Sequence, residues 1–358
     1  MGVEETKMFE WSIIAVVMSI IFATGSTGVS PTRNVMLRHG KRTIESIRFV
    51  PNGKGLVSAS IDGTVVMWDP HSARSMWKLD LDDATRTKSS HTVSEILSMD
   101  VAPDGNTIAV SYSRSLVMGE RLQGKDEYLI GLLDANTGKQ IRVLSGHIDQ
   151  PERIIFSPDG QSLLSESRDH TARLWKVHDG TEVFAVKLNE RGAAIAFSPD
   201  GKVFAVATQP LYGLPPKPIV ALYDARTGSL LHEFPRRTNV VTSLAFSSDG
   251  TLAVAGGNAA GAQIDLWSTS TQEPKTTFPA THSEINDVAF SKDGRLLALG
   301  GYRSGQGLVE VHDLSANGGT RTYNLTSEVT SVDFSSDGRW LAAGTNRGEI
   351  KVLDLHAR

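Results

Sequence analysis

The chain has 358 residues, with 40 acidic against 36 basic side chains, a net charge of −4 and no cysteine. The missing cysteines exclude disulfides, thiol catalysis and thiolate-held zinc or iron–sulfur centres. The near-balance of charge argues against a dedicated nucleic-acid binder, which carries a basic surplus, and a hydrophobic content of 40% is that of a globular chain.

Taken in chain order, the first feature is Trp11 to Ala23 (WSIIAVVMSIIFA), thirteen residues without a charge. A spanning helix needs roughly 20 apolar residues, so this run has the length of a signal-peptide core. Ala23 to Gly25 is a small-x-small cleavage pattern. The flank is acidic instead of basic, because Glu4, Glu5 and Glu10 outnumber Lys7. The reading is an address segment over residues 1–30, exported or membrane-anchored through residues 11–23. A cytoplasmic chain with a packed extension is the alternative.

Residues 31–358 then repeat. Phe156–Gly160, Phe197–Gly201, Phe246–Gly250, Phe290–Gly294 and Phe334–Gly338 each read Phe-Ser-x-Asp-Gly, and Phe49–Gly53 and Val101–Gly105 are looser copies. Their glycines are spaced 52, 55, 41, 49, 44 and 44 residues apart, which makes seven units. Each unit carries four short runs rich in β-branched and aromatic residues, separated by turn signals. Asp-Gly reverses the chain, since glycine takes the positive φ of a tight turn. The third run ends at Trp68–Asp69, Trp175–Lys176, Tyr223–Asp224 or Trp267–Ser268. Four such runs per unit describe four-stranded antiparallel sheets.

These residues resemble WD40 repeats over essentially all of residues 32–358. The resemblance implies an all-β chain: a single seven-bladed β-propeller of four-stranded blades. It also implies a buried network in which a histidine joins a serine, an aspartate and the Trp N–H. Two blades supply the parts: His39 with Ser58 or Ser60, Asp62 and Trp68, and His147 with Ser165 or Ser167, Asp169 and Trp175. A His, a Ser and an Asp in one chain invite a catalytic triad, but their repeat spacing makes them structural. The other blades lack a member and are expected to rest mainly on apolar packing.

The last unit stops at its third strand, Val352 to Leu355, while Asn34 to Arg38 is a lone strand before the first unit. The expectation is that Asn34 to Arg38 closes the final blade and removes two open edges. One face of the ring then carries the monotonous Asp-Gly and Asp-x-x-Thr-Gly turns. The irregular insertions fall on the other, where strands b–c and d–a connect: Asp82 to Ser94, Ser113 to Glu127, Gln209 to Pro218, and Tyr302 to Gly307. Irregular loops on a rigid scaffold usually carry binding. The candidate contacts for a protein partner are Arg114, Met118, Arg121, Arg168, Tyr212, Leu214, Arg303 and Asn346.

No catalytic, cofactor or metal pattern accompanies them. Gly300 to Gly307 precedes a strand, so it lacks the helix N-terminus of a phosphate loop and reads as a flexible connection. The reading is therefore a non-enzymatic, monomeric scaffold without cofactor, metal or nucleic-acid ligand. The alternative is a small-ligand or metal-binding propeller, possibly enzymatic, using Asp287 and Asp333 in the central channel to hold a calcium ion.

Overall fold

The computed structural model describes residues 34–82, 90–118, 121–209, 220–234, 240–258, 261–316 and 318–356. Residues 1–33, and with them the predicted address segment, lie outside the described residues. Seven four-stranded antiparallel sheets form the blades of a propeller.

Strand β1 (Val35–Arg38) precedes blade 1, which is β2 (Ile44–Val50), β3 (Gly55–Ser60), β4 (Thr64–Asp69) and β5 (Arg74–Asp80). Blade 2 is β6 (Ser90–Val101), β7 (Thr107–Met118), β8 (Arg121–Asp134) and β9 (Gln140–Ser145). Blade 3 is β10 (Pro151–Phe156), β11 (Ser162–Ser167), β12 (Thr171–Lys176) and β13 (Glu182–Lys187). Blade 4 is β14 (Arg191–Phe197), β15 (Val203–Gln209), β16 (Val220–Asp224) and β17 (Leu230–Phe234). Blade 5 is β18 (Val240–Phe246), β19 (Thr251–Asn258), β20 (Gly261–Ser268) and β21 (Pro274–Pro279). Blade 6 is β22 (Glu284–Phe290), β23 (Leu296–Arg303), β24 (Gln306–Asp313) and β25 (Thr320–Leu325). Blade 7 is β26 (Val329–Phe334), β27 (Trp340–Thr345), β28 (Glu349–Asp354) and the returning β1, paired from Val35 opposite Val352 to Arg38 opposite Glu349. The closing strand thus lies where the unpaired runs at the two ends required it.

The a–b turns explain why the repeat is so regular. After β10, Ser157 Oγ donates to Asp159 Oδ1 at 2.6 Å, and the same carboxylate accepts the Gln161 amide at 3.0 Å. Ser157 Oγ also accepts the Ser162 amide at 2.9 Å, and Gly160 sits at φ 71°, open to glycine at little steric cost. The same serine–aspartate bond recurs at Ser198–Asp200, Ser291–Asp293 and Ser335–Asp337. This local network holds its aspartates below the usual carboxylate range, the serine hydroxyl being the largest cause.

Apolar packing joins the blades. At five of the seven seams strand b presents alanine or glycine, which receives a β-branched residue from strand a of the next blade. A side chain at Gly344 would run into Ile44, and one at Gly300 into Val329 and Val332. Ala59 packs in one cluster with Ile96, Ala207 with Val241, and Ala255 with Ile285. No helix among the described residues is long and apolar enough to cross a membrane.

Two insertions differ from expectation. Residues 113–127 do not hang as an irregular loop. Strands β7 and β8 continue pairing out to Met118 opposite Arg121, and β6 follows them from Ser90 opposite Met118. The end of the expected d–a loop, from Ser90 to Ser94, is therefore strand, residues 83–89 lie outside the described residues, and blade 2 carries a three-stranded arm. Alternating register satisfies the backbone more fully than a loop does. The stretch around Tyr302 to Gly307 is also ordered: Arg303 pairs with Gln306 across a two-residue turn. Ser304 and Gly305 have φ 50° and 80°, so both turn residues are left-handed, as tight hairpins favour.

Candidate functional site

The inner strands build a channel. Every a–b pair carries a register shift at the same place. It puts Ser46, Ser98, Arg153, Ala194, Ser243, Asp287 and Ser331 at equivalent positions around the ring. Five of these staple the next blade through a backbone amide: Ser46 accepts from Met99 (3.1 Å), Ser98 from Ile154 (3.3 Å), Ser243 from Val288 (3.2 Å), Asp287 from Val332 (3.0 Å) and Ser331 from Ile47 (3.2 Å). Arg153 and Ala194 stand where the other two staples belong.

Two residues further along, Asp100 accepts the Phe156 amide at 2.8 Å and Asp333 the Phe49 amide at 2.7 Å. Arg48 lies between them, 3.4 Å from Asp100. Enclosure in the channel pushes the Asp333 carboxyl up to about 7, with the Arg48 charge opposing. Asp287 and Asp333 are not alone among the inner-strand carboxylates: Glu45 on β2, Asp100 on β6 and Glu152 on β10 join them. Asp287 also accepts from the Ser243 and Ser331 hydroxyls, at 3.0 and 3.1 Å. Its two oxygens are occupied by the ring itself, which leaves little for a cation. A cavity of about 360 Å³ remains in the channel, bordered by Glu45, Arg153, Gln209, Thr242, Asn286 and Glu328.

The b–c/d–a face surrounds the channel mouth. Glu152 accepts from Arg168 Nε at 2.6 Å and Arg191 Nε at 2.8 Å. Across the mouth, Glu328 accepts from Asn286 at 2.9 Å and Asn346 at 3.1 Å. The predicted contacts Arg168 and Asn346 therefore sit on the rim, each fixed by a carboxylate. Arg114 lies at the base of the arm, 5.2 Å over the Tyr112 ring and 3.7 Å from Glu127. Arg303 is exposed at the end of β23. Met118 and Arg121 face each other across the end of the arm's pairing. Tyr212 and Leu214 lie outside the described residues. The six described candidates do not form one patch; Arg114, Arg168 and the arm belong to blades 2 and 3, while Arg303 and Asn346 belong to blades 6 and 7.

One rim residue escaped the sequence reading. Ile148 is 80% exposed, although its amide is held by Asp169 Oδ2 at 3.1 Å. Arg168 N bonds to Gln150 O at 3.0 Å, which ties Ile148's loop to Arg168. A large apolar side chain on a fixed backbone is a typical anchor of a protein interface. The signal was its position directly after His147.

The histidine networks occupy the flank of this face. In blade 3, Trp175 Nε1 donates to Ser165 Oγ (2.8 Å), Ser165 lies 2.7 Å from His147 Nε2, and His147 Nδ1 lies 2.8 Å from Asp169. Burial resists the Asp169 charge, but the bonds from His147 and Thr171 outweigh it and hold the carboxyl far below its usual range. In blade 1, Trp68 donates to Ser58 (2.8 Å) and Ser58 meets His39 Nδ1 (2.6 Å). His39 Nε2 then reaches Thr64 (2.6 Å), whose hydroxyl donates to Asp62 (2.6 Å), so the aspartate acts through a threonine. Burial lowers the His39 pKa to about 4, keeping the ring neutral. Ser60 and Ser167 instead receive the amides of Asp62 (3.4 Å) and Asp169 (3.1 Å). With both ring nitrogens engaged and the ring sealed behind a tryptophan, neither His39 nor His147 is free to serve a substrate.

Blade 6 does not rest on apolar packing alone. Glu310, 1% exposed, accepts from Thr281 and lies 3.1 Å from His312 Nε2 and 3.6 Å from His282. These bonds hold its carboxyl well below the usual range against the cost of burial. No group of His, Cys, Asp or Glu among the described residues is arranged to hold a metal ion.

Comparison with known proteins agrees with this geometry. The family model for WD domain, G-beta repeat matches residues 32–69, 138–176 and 228–268. That for the eukaryotic translation initiation factor eIF2A matches residues 273–353. The chain is 26% identical to Periodic tryptophan protein 2 of Arabidopsis thaliana over 58% of its length, and 24% identical to the Caenorhabditis elegans homolog over 72%. It is 24% identical to U3 small nucleolar RNA-associated protein 21 of Saccharomyces cerevisiae over 46% of its length. It spans only 19%, 25% and 15% of those three proteins. These relatives overturn the reading of residues 11–23 as a signal peptide or membrane anchor. One of them is named for a nucleolar RNA, a compartment reached without export or membrane attachment. A short apolar run has the length of a signal core, but its acidic flank already disagreed.

Proposed function

We propose that this chain, a seven-bladed propeller carrying WD40 repeats, is a non-catalytic scaffold whose b–c/d–a face docks a protein within an RNA–protein assembly. The observation that carries this is the lopsided face: blade 2 extends into a three-stranded arm and the next blade carries the exposed Ile148 and Arg168, while the opposite face repeats short Asp-Gly and Thr-Gly turns. A rigid ring loses little ordering entropy on binding. The wall of the arm with an exposed isoleucine and a half-exposed arginine supplies the apolar and cationic anchors that protein interfaces favour. The RNA–protein setting rests on the names of the relatives, one associated with U3 small nucleolar RNA. A net charge of −4 makes the chain a protein-binding member of such a particle and not its RNA-binding one. On this reading residues 31–358 act as one domain, and the chain resides with a nucleolar particle.

The test is affinity capture with the full chain from nuclear extract, before and after ribonuclease. It is run beside a variant whose residues 113–127 are replaced by a short turn, and beside Ile148→Asp. Co-purification of nucleolar small-subunit factors that survives ribonuclease and is lost in both variants is the expected result. Partner sets that match across all three proteins would refute the face.

A further inference from the structure

Seam 3–4 inverts the packing found at five other seams, 7–1, 1–2, 4–5, 5–6 and 6–7. At those five seams strand b offers alanine or glycine and strand a inserts isoleucine or valine; here β11 carries Glu166 and β14 carries Gly192. A Cβ on Gly192 would fall 2.1 Å from the Glu166 carboxyl carbon, so the glycine is what admits the glutamate. Glu166 is 0% exposed, and neither carboxyl oxygen has a hydrogen-bond partner. An ionised carboxylate in that setting is costly. The facing groups do not neutralise it: Glu152 and Arg153 on β10, Asp169 after β11, and Arg191 on β14, two acids against two bases. Glu152 takes both arginines on the rim, Arg168 and Arg191.

Two further features coincide at this seam. Arg153 replaces the stapling serine, so the amide bond that joins blades at five other seams is missing. On the turn face, a cavity of about 340 Å³ separates the two blades, floored by Leu174 and Phe197 and walled by Pro158 and Pro199.

We infer that the ring opens at seam 3–4, and that Glu166 is its latch, closed with the carboxyl protonated and released when it ionises. Burial pushes the Glu166 carboxyl up to about 8, with the Glu152 charge adding to it. The sign follows by linkage. The closed seam holds a proton that the opened, hydrated seam releases at an ordinary carboxyl value. Closure is therefore fully favoured in acid, weakens as pH rises above the usual carboxylate range, and levels off beyond about 8. A partner seated across Arg168 and Arg191 would bridge the same seam.

Hydrogen exchange of the full chain between pH 5 and 9, corrected for intrinsic rates, tests this directly. Protection in β11 and β14 should fall by up to about tenfold per pH unit until pH 8, while β23 and β26 at seam 6–7 keep theirs. Glu166→Gln should flatten the response of β11 and β14. So should the double swap Glu166→Ala with Gly192→Val, which restores the small-to-large packing of the other seams. If wild-type β11 and β14 lose no more protection than β23 and β26, the latch does not exist, whatever the variants do. A pH response that persists in folded Glu166→Gln would equally overturn Glu166 as its cause.

Discussion

Seams 7–1 and 3–4 join the same strands by opposite means. At seam 7–1, Ile44 fills the notch at Gly344, Ser331 and Asp333 each hold an amide of β2, and Arg48 sits among the channel acids. At seam 3–4 a carboxyl fills a glycine notch and the staple is absent. Seam 7–1 is also where the first and last strands of the ring meet, and β1 is its link. The difference teaches that the closing seam is stapled twice over, by Ser331 and Asp333, while the ring tolerates seams without a staple at blades 3–4 and 4–5.

The largest test of this contrast removes β1. A chain beginning at Gly40 loses Leu37, four strand pairs and His39, and should be destabilised by about 4 kcal/mol or more; an unchanged thermal midpoint would refute closure. Next, Asp333→Ala strands the Phe49 amide and should cost about 1–3 kcal/mol by chemical denaturation. Asp169→Ala should cost about 1–3 kcal/mol as well, and more than Asp62→Ala, whose aspartate reaches its histidine only through Thr64. Asp169 also sets a pH dependence: its carboxyl is held far down, so its stabilisation is present above the usual carboxylate range and is lost as pH falls below it. Wild type and Asp169→Ala should therefore converge in acid. Smallest is Ala194→Ser, which offers the missing staple to Leu244; it should stabilise by about 0.5 kcal/mol, and an effect of equal size at Ala196 would show that no staple formed.

Much of the fold was legible because its chemistry is local. Ser157, Asp159 and Gly160 make one turn within five residues, and the turn recurs wherever the motif does. Ser165, Asp169 and Trp175 sit on one hairpin, so the resemblance to WD40 repeats could point to their network residue by residue. The site was harder to read. Ile148 looked like any loop residue until Asp169 fixed its backbone, and Arg168 gained a role only when Glu152 arrived from a different strand. The arm read as a loop because glycines and charges interrupt its apolar pattern, while backbone pairing with β6 decides its shape.

The sequence by itself determined the number of blades, their strand order, the turn face and the strand that closes the ring, since each is written in neighbouring residues or in a count. Only the tertiary structure decided how the blades meet. Glu166 and Gly192 stand on different blades, and Asp333 and Phe49 lie near opposite ends of the chain. Their complementarity exists only once seven registers have been set, because burial, and the cost of an unpaired charge, belong to the assembled ring and to no single repeat.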